Sequence, residues 1–213
     1  MRNAMFGVLL AVALPCAALT EGQVRSAITP LEKVDAARIA SLRAMGSEVP
    51  SLLAKIYGKS SEDDRAVIAW ILYSIGEKSP EARAALLKDI DTQNPKLRLQ
   101  VQWALGRVSD DTQIVDILAR IMRDDENALF RDKAACALAY DQIHLSERQK
   151  VDLYSKLIDA LSDEKQQVRA IAIQALSIHT GQTKGFNPQA PVEDRNHSIA
   201  RWKAWLAEYE KNL

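Results

Sequence analysis

Apolar and polar residues alternate along this chain with the three- and four-residue spacing of amphipathic helices. Four segments share one pattern and can be aligned on an arginine: "DRAVIAWILY", "LRLQVQWALG", "FRDKAACALA" and "VRAIAIQALS". Their arginines are Arg65, Arg98, Arg131 and Arg169, which lie 33, 33 and 38 residues apart. In each segment apolar residues stand three, six and seven positions after the arginine, on one face of a helix. The pattern predicts four copies of one helix.

A second amphipathic helix is predicted before each copy, in "VPSLLAKIYG", "EARAALLKDI", "DTQIVDILARIM" and "KVDLYSKLIDAL". Short polar turns such as "DTQNP" and "SDEK" separate the two helices of a pair. We therefore predict four helix–turn–helix units, at residues 49–76, 79–108, 111–142 and 146–180. One such unit cannot bury its own apolar faces, whereas stacked neighbours can. The expected architecture is a row of stacked helix pairs.

The motif apolar-Arg-x-x-Ala-x-x-Ala-Leu-Gly, clearest in "LRLQVQWALG", resembles the second helix of HEAT repeats. The resemblance implies an all-α fold, a right-handed α-α superhelix of about four helix pairs with N- and C-terminal capping helices. In HEAT repeats an aspartate of the inter-helix turn often pairs with the arginine six residues later. Two pairs have this spacing: Asp125 with Arg131, and Asp163 with Arg169. Lys59 and Thr92 hold the matching position in the first two copies, so the resemblance implies only a partial ladder. We expect structural roles for these side chains, and both aspartates are also candidate helix N-caps.

Both ends of the chain are predicted to cap the row. Residues 19–48 indicate one or two helices in which Ile39 and Leu42 face the first repeat and Gly46 ends the segment. Residues 182–213 combine a loop with an amphipathic helix, and their Arg-Trp-x-x-Trp motif resembles the closing segment of many bacterial HEAT-type proteins. Trp202 and Trp205 are expected to cover the last repeat. The alternative is that they bind a sugar or an aromatic partner.

The N-terminus has the features of a secretory signal peptide. One positive residue, Arg2, precedes an uncharged apolar run at residues 4–14 that is too short to span a membrane as a helix. Small residues follow and predict cleavage after Ala18, so residues 1–18 are expected to be removed from a periplasmic or secreted protein. Two alternatives remain. One is a lipoprotein anchored at Cys16, which Pro15 disfavours, and the other is an uncleaved cytoplasmic protein.

Charge and candidate chemistry restrict the function classes further. Lys plus Arg and Asp plus Glu each number 28, so no basic excess favours nucleic acid as a partner. After cleavage Cys136 is the one remaining cysteine, and its helical context indicates a small apolar residue. His144, His179 and His197 stand apart, without the spacing of metal ligands, and no nucleophile or phosphate-binding motif occurs. We expect no catalytic residue, no metal and no cofactor.

One column of the aligned helices differs from a buried core. Five residues after each arginine stand Trp70, Trp103, Cys136 and Gln174. In HEAT-like patterns this position usually points away from the inter-helix core, and the second helices line the concave face. Neighbouring exposed aromatics there suggest a site for a partner. The candidate partner-binding residues are Trp70, Tyr73, Gln100, Trp103 and Gln174. The alternative is that the indoles fill gaps between slightly rotated repeats.

The predicted function is a non-enzymatic, exported HEAT-repeat scaffold that holds a protein or peptide on its concave face. A curved stack of helices offers a long rigid groove at little ordering cost. A membrane contact is expected only if Cys16 is lipidated. HEAT resemblance also implies an enzyme as an alternative, of the bilin lyase type or the DNA glycosylase type. Both types work in the cytoplasm, so the signal peptide argues against them. The remaining alternative is a structural subunit of an envelope complex.

Overall fold

A computed structural model describes residues 18–213, which form eleven α-helices and one short 3-10 helix, with no strand among the residues described. The predicted signal peptide up to residue 17 and the lipidation candidate Cys16 lie outside this range. The helices are α1 (Glu21–Ile28), α2 (Ala36–Ala44), α3 (Val49–Tyr57), α4 (Glu62–Ile75), α5 (Pro80–Leu87), α6 (Pro95–Val108), α7 (Thr112–Asp124), α8 (Ala128–Tyr140), α9 (Glu147–Ala160), α10 (Gln166–Thr180) and α11 (Val192–Lys211). The all-α prediction is confirmed.

The helices stack in two rows. Helices α2, α4, α6, α8 and α10 pack each against the next and form the second-helix row. The first helices pack as two runs, α1–α3–α5 and α7–α9–α11, which are joined by the contacts of α6 with α5 and α7. Each first helix also packs against the second helix that follows it. The resulting pairs are α3/α4, α5/α6, α7/α8 and α9/α10, as in a HEAT-like solenoid.

Residues before the first repeat form helices that continue both rows. Helix α1 lies against α3 and α2 lies against α4, so the two form one more helix pair. Thr20 starts α1 with a capping box in which its side chain and that of Gln23 satisfy backbone N–H groups reciprocally. Ile39 and Leu42 are buried, as predicted.

The apolar positions aligned on the arginines form a continuous core. All of them are at most 1% exposed: Ile68, Ile71, Leu72, Val101, Ala104, Leu105, Ala134, Ala137, Leu138, Ala172, Ala175 and Leu176. Burial of each large aliphatic side chain contributes roughly 1.5–3 kcal/mol to folding. Because each face is covered by the next helix of the row, the repeats stabilise one another.

The polar turns contain the N-cap residues of the second helices, but these are not the residues that were predicted. Asn127 caps α8 by accepting the backbone N–H of Leu129, while the Asp125 side chain accepts the N–H of Asn127 at 2.9 Å. Asp163 likewise accepts the N–H of Lys165, the N-cap residue of α10, at 2.8 Å. The N-cap prediction for the two aspartates is therefore wrong. Each lies two residues too early and closes the turn before the cap.

Candidate interaction surface

The solvent side of α4, α6, α8 and α10, called the second-helix face below, carries all five candidate partner-binding residues. Trp70 and Tyr73 lie on α4, and Gln100 and Trp103 lie on the neighbouring α6. These four side chains are half-buried. Gln174 is exposed on α10, two helices further along the row. The structure thus brings four of the five together and separates Gln174 from them.

Tyr73 and Trp103 meet across the α4–α6 contact. Their ring centroids are 6.3 Å apart, and the ring planes are inclined at 44°. The Arg107 guanidinium lies 4.4 Å from the centroid of the Tyr73 ring, a cation–π distance. Burial raises the pKa of the Tyr73 hydroxyl above its usual range. Trp103 therefore fills part of an inter-repeat gap, and its half-burial leaves part of the indole at the surface.

A groove opens beside Trp70 at the N-terminal end of the second-helix face. Its volume is about 320 Å³, and its walls come from α4, α6 and the segment that precedes α2. The lining residues are Leu31, Glu32, Val34, Ala66, Val67, Trp70, Lys96 and Gln100. Leu31, Glu32 and Val34 were not among the residues predicted from the sequence. No periodic pattern links a capping segment to a helix more than thirty residues away, so no sequence signal identifies this wall.

Gln174 lies beside a second, smaller depression, which is formed between α8 and α10 and has a volume of about 60 Å³. Cys136 lines this depression and is half-buried. Burial raises the pKa of its thiol, which favours the protonated form, so the side chain behaves as a small apolar group. Tyr140 and Ile178 at its rim are 56% and 38% exposed. This depression holds little more than one small side chain.

A buried polar network supports Tyr73 and Arg107 from behind. Asp141 is buried and accepts a 2.8 Å hydrogen bond from Arg107 Nε. Burial raises the pKa of Asp141, and the nearby Arg107 opposes that effect. His144 Nε2 lies 2.9 Å from the carbonyl oxygen of Gly76 and 3.0 Å from that of Arg107. The loop after α8 therefore ties together the C-terminal ends of α4 and α6, which the sequence analysis did not predict.

The four aligned arginines link each repeat to the one that follows. Arg65 Nε lies 3.0 Å from Asp89 Oδ2, and Arg98 pairs with Asp125. Further along, Arg131 donates to Gln167 Oε1 at 3.1 Å. The last arginine, Arg169, donates to the carbonyl oxygen of Pro188 at 2.8 Å, in the loop before α11. These bonds hold each arginine between its own repeat and the segment that follows.

The prediction that each turn aspartate pairs with the arginine six residues later is wrong, because the arginine contacts the backbone of the turn and not the carboxylate. Arg131 donates to the backbone carbonyl oxygens of Asp125 and Glu126, at 2.6 and 3.0 Å. Arg169 makes the same contacts with Asp163 and Glu164, both at 2.8 Å. The physical reason is that each aspartate uses its carboxylate for the N–H groups of its own turn. The carboxylate of Asp125 also faces the arginine of the preceding repeat.

The two tryptophans of α11 lie in an aromatic cluster over α9. Trp202 is fully buried, and its Nε1 donates to the Thr183 carbonyl oxygen at 3.2 Å. Trp205 is half-buried, with ring centroids 5.4 Å from Tyr154 and 5.3 Å from Tyr209. Because α11 packs on α9, this cluster closes the run α7–α9–α11. A fully buried Trp202 has no surface to offer a ligand.

Residues 18–213 contain no group of three or more His, Cys, Asp or Glu side chains placed to hold a metal ion. In the same range no helix combines the length and the apolar character needed to cross a membrane. His179 is instead used internally, with Nε2 2.9 Å from the Leu138 carbonyl oxygen.

The fold and this surface place the chain in the class of all-helical repeat proteins. Residues 49–139 match the family model of HEAT repeats, a stretch that runs from α3 into α8 and contains three of the four aligned arginines. This match confirms the resemblance that the arginine motif carries, so residues 49–139 are HEAT repeats. No curated protein matches the chain.

Proposed function

We propose that this protein is an exported, non-enzymatic scaffold that binds a protein or peptide partner through its second-helix face. One observation carries the proposal. Trp70 and Trp103 are half-buried on neighbouring helices, and an open groove lies beside Trp70. Tryptophan is among the residues most often found at the energetic centre of interfaces. HEAT repeats are helical scaffolds that often mediate protein interactions, which agrees with this role.

Rigid packing supports the same role. The extensive contact between α4 and α6 fixes the relative positions of the helices that carry the two tryptophans. Arg65 and Arg98 tie these two helices to the turns of the following repeats. A surface that is already ordered loses little conformational entropy when a partner binds.

A double variant tests the proposal. Trp70→Ala with Trp103→Ala removes both indoles and should lower retention of the partner at least tenfold, since anchors of this kind contribute about 2 kcal/mol or more each. The measurement is quantitative co-purification after cross-linking in envelope extracts. Val192→Ala with Leu213→Ala is the matched control, because these apolar residues are 59% and 44% exposed at the C-terminal end. A folded double variant that keeps every partner of the wild type would refute the role of this face.

Export is tested separately. The proposal of export rests on the apolar run at residues 4–14 and the small residues up to Ala18. Sequencing of the mature N-terminus from fractionated cells should find Leu19 first in the periplasmic or secreted fraction. A chain that begins at Met1 and remains in the cytosol would contradict export and reopen the enzymatic alternatives.

A further inference from the structure

The groove beside Trp70 carries opposite charges on its two sides. Glu32 belongs to the capping segment, whereas Lys96 lies in the first turn of α6. Both side chains are exposed, and neither forms an ion pair with another residue in the range 18–213, where the nearby arginines pair with other carboxylates. The walls between them are mainly apolar, from Leu31 and Val34 on one side to Val67 and Trp70 on the other.

This arrangement restricts the chemistry of the occupant. A fatty acid or another simple amphiphile would satisfy Lys96 and the apolar walls but would leave Glu32 facing its chain. Nucleic acid would need a surrounding excess of basic groups, and the groove has none because its one lysine is balanced by a glutamate. A peptide can supply an apolar side chain and charges of both signs within a few residues. The volume, about 320 Å³, is in the range of pockets that hold small ligands or a few side chains.

We infer that the groove binds a peptide segment in which an aliphatic or aromatic residue stands between an acidic and a basic residue. The apolar side chain packs against Trp70 and Val67, the acidic residue lies toward Lys96, and the basic residue lies toward Glu32. This inference rests on the proposed function, because it specifies the partner of one part of the second-helix face. It also assigns a binding role to the segment before α2, which lies outside the repeats.

Selection from a displayed random-peptide library tests the inference. The purified wild-type chain and the Lys96→Glu variant are used as separate baits at low ionic strength. Wild type should select peptides with an apolar residue between opposite charges, and Lys96→Glu should select peptides in which the acidic residue is replaced by a basic one. The fold should tolerate this change, because Lys96 is exposed and a glutamate is favourable in the first turn of a helix. Lys203→Glu, on the exposed side of α11, is the matched control and should select the wild-type consensus.

Affinities of one selected peptide and its charge-swapped counterpart complete the test. Lys96→Glu should weaken the selected peptide about threefold, as expected of an exposed ion pair, and bind the swapped peptide better. Trp70→Ala should weaken both peptides at least tenfold. The absence of a consensus, or a consensus that Lys96→Glu leaves unchanged, would overturn the inference. If Trp70→Ala with Trp103→Ala still abolishes partner retention in that case, the proposed function stands and only the groove chemistry fails.

Discussion

Gly106 shows how one residue sets the distance between repeats. It lies in α6, where a Cβ atom would come within 2.7 Å of Gln142 Nε2 and 2.9 Å of the Asp141 carbonyl oxygen. Backbone atoms cannot move aside as the end of a flexible side chain can. The missing Cβ therefore allows the loop after α8 to lie directly on α6. Asp141 then reaches Arg107 and positions the Arg107 guanidinium over the Tyr73 ring.

Gly106→Ala should destabilise the protein by about 1–3 kcal/mol, the usual cost of overpacking. The sign is informative, because the same change in an open helix interior is stabilising by about 1 kcal/mol. Gly22→Ala in α1 is the control, since its nearest neighbour would lie 4.0 Å from the new Cβ, and it should be neutral or stabilising. Urea unfolding of both variants measures the difference. Equal stability of Gly106→Ala and wild type would show that the loop does not lie so close.

At the scale of elements, the arginine bonds act between repeats, and Arg98 with Asp125 is the most buried carboxylate pair of the ladder. The two side chains are 14% and 9% exposed. Arg98 also donates to the Ile90 carbonyl oxygen at 3.1 Å, and its guanidinium lies 4.2 Å from the centroid of the Phe130 ring. One side chain thus joins α6 to the turn before it and to the start of α8.

A double-mutant cycle on Arg98→Ala and Asp125→Ala should give a coupling energy of about 1–3 kcal/mol, measured by denaturant unfolding. The pair Lys78 and Asp110 is the control. These side chains lie 2.7 Å apart but are 52% and 47% exposed, so their coupling should stay below about 1 kcal/mol. A coupling for Arg98 and Asp125 no larger than that of the control would show that the ladder does not stabilise the stack.

His179 should make the contact of α10 with α8 sensitive to pH. Its ring packs edge-on against Tyr154 at 5.7 Å, and Nε2 donates to the Leu138 carbonyl oxygen. Burial lowers the pKa of His179 below its ordinary value. The hydrogen bond to Leu138 opposes this effect, and Lys150 adds to it. As the pH falls, the unfolded chain therefore takes up the proton before the folded one. The stability that neutral His179 contributes is complete above about pH 6.5 and is lost as the pH falls through the lower, folded-state pKa.

Between pH 7 and pH 5 the contribution of His179 to the free energy of unfolding should fall, with a slope of at most about 1.4 kcal/mol per pH unit. His179→Gln should flatten the profile. His197→Gln, on the exposed side of α11, should keep the wild-type slope. Thermal unfolding at a series of pH values provides the comparison. Identical slopes for His179→Gln and the wild type would contradict the assignment.

For the whole molecule, sequence periodicity was sufficient to predict the stack and insufficient to predict its polar contacts. The positions of Leu72, Leu105, Leu138 and Leu176 relative to the arginines identify the buried face of each second helix, because helical geometry fixes which residues share a face. The partner of Asp125 could not be found in this way. Arginines from two repeats contact Asp125, Arg98 at its carboxylate and Arg131 at its backbone carbonyl oxygen, and only the packing of the repeats decides which group each arginine meets.

The candidate site could likewise be predicted only in part. The column that contains Trp70 and Trp103 follows from the repeat register, so its place on the second-helix face could be predicted. The wall formed by Leu31 and Val34 could not, because it belongs to a capping segment without repeat spacing. Gln174 shares the column yet lies apart, since a register position specifies a face and not a distance along the row.

Stability in such a row should be mainly local, because the largest helix contacts within residues 18–213 lie within a helix pair or join neighbouring pairs. Trp202 and Leu42 are both fully buried, at opposite ends of the row, on α11 and α2. Trp202→Ala should cost about 3–5 kcal/mol and Leu42→Ala about 2–5 kcal/mol. Hydrogen exchange should show that Trp202→Ala lowers amide protection first in α9, α10 and α11, while α3 and α4 keep most of theirs. Leu42→Ala should do the reverse. If both variants lowered protection equally along the chain, the row would unfold as a single cooperative unit, and the nearest-neighbour description would not hold.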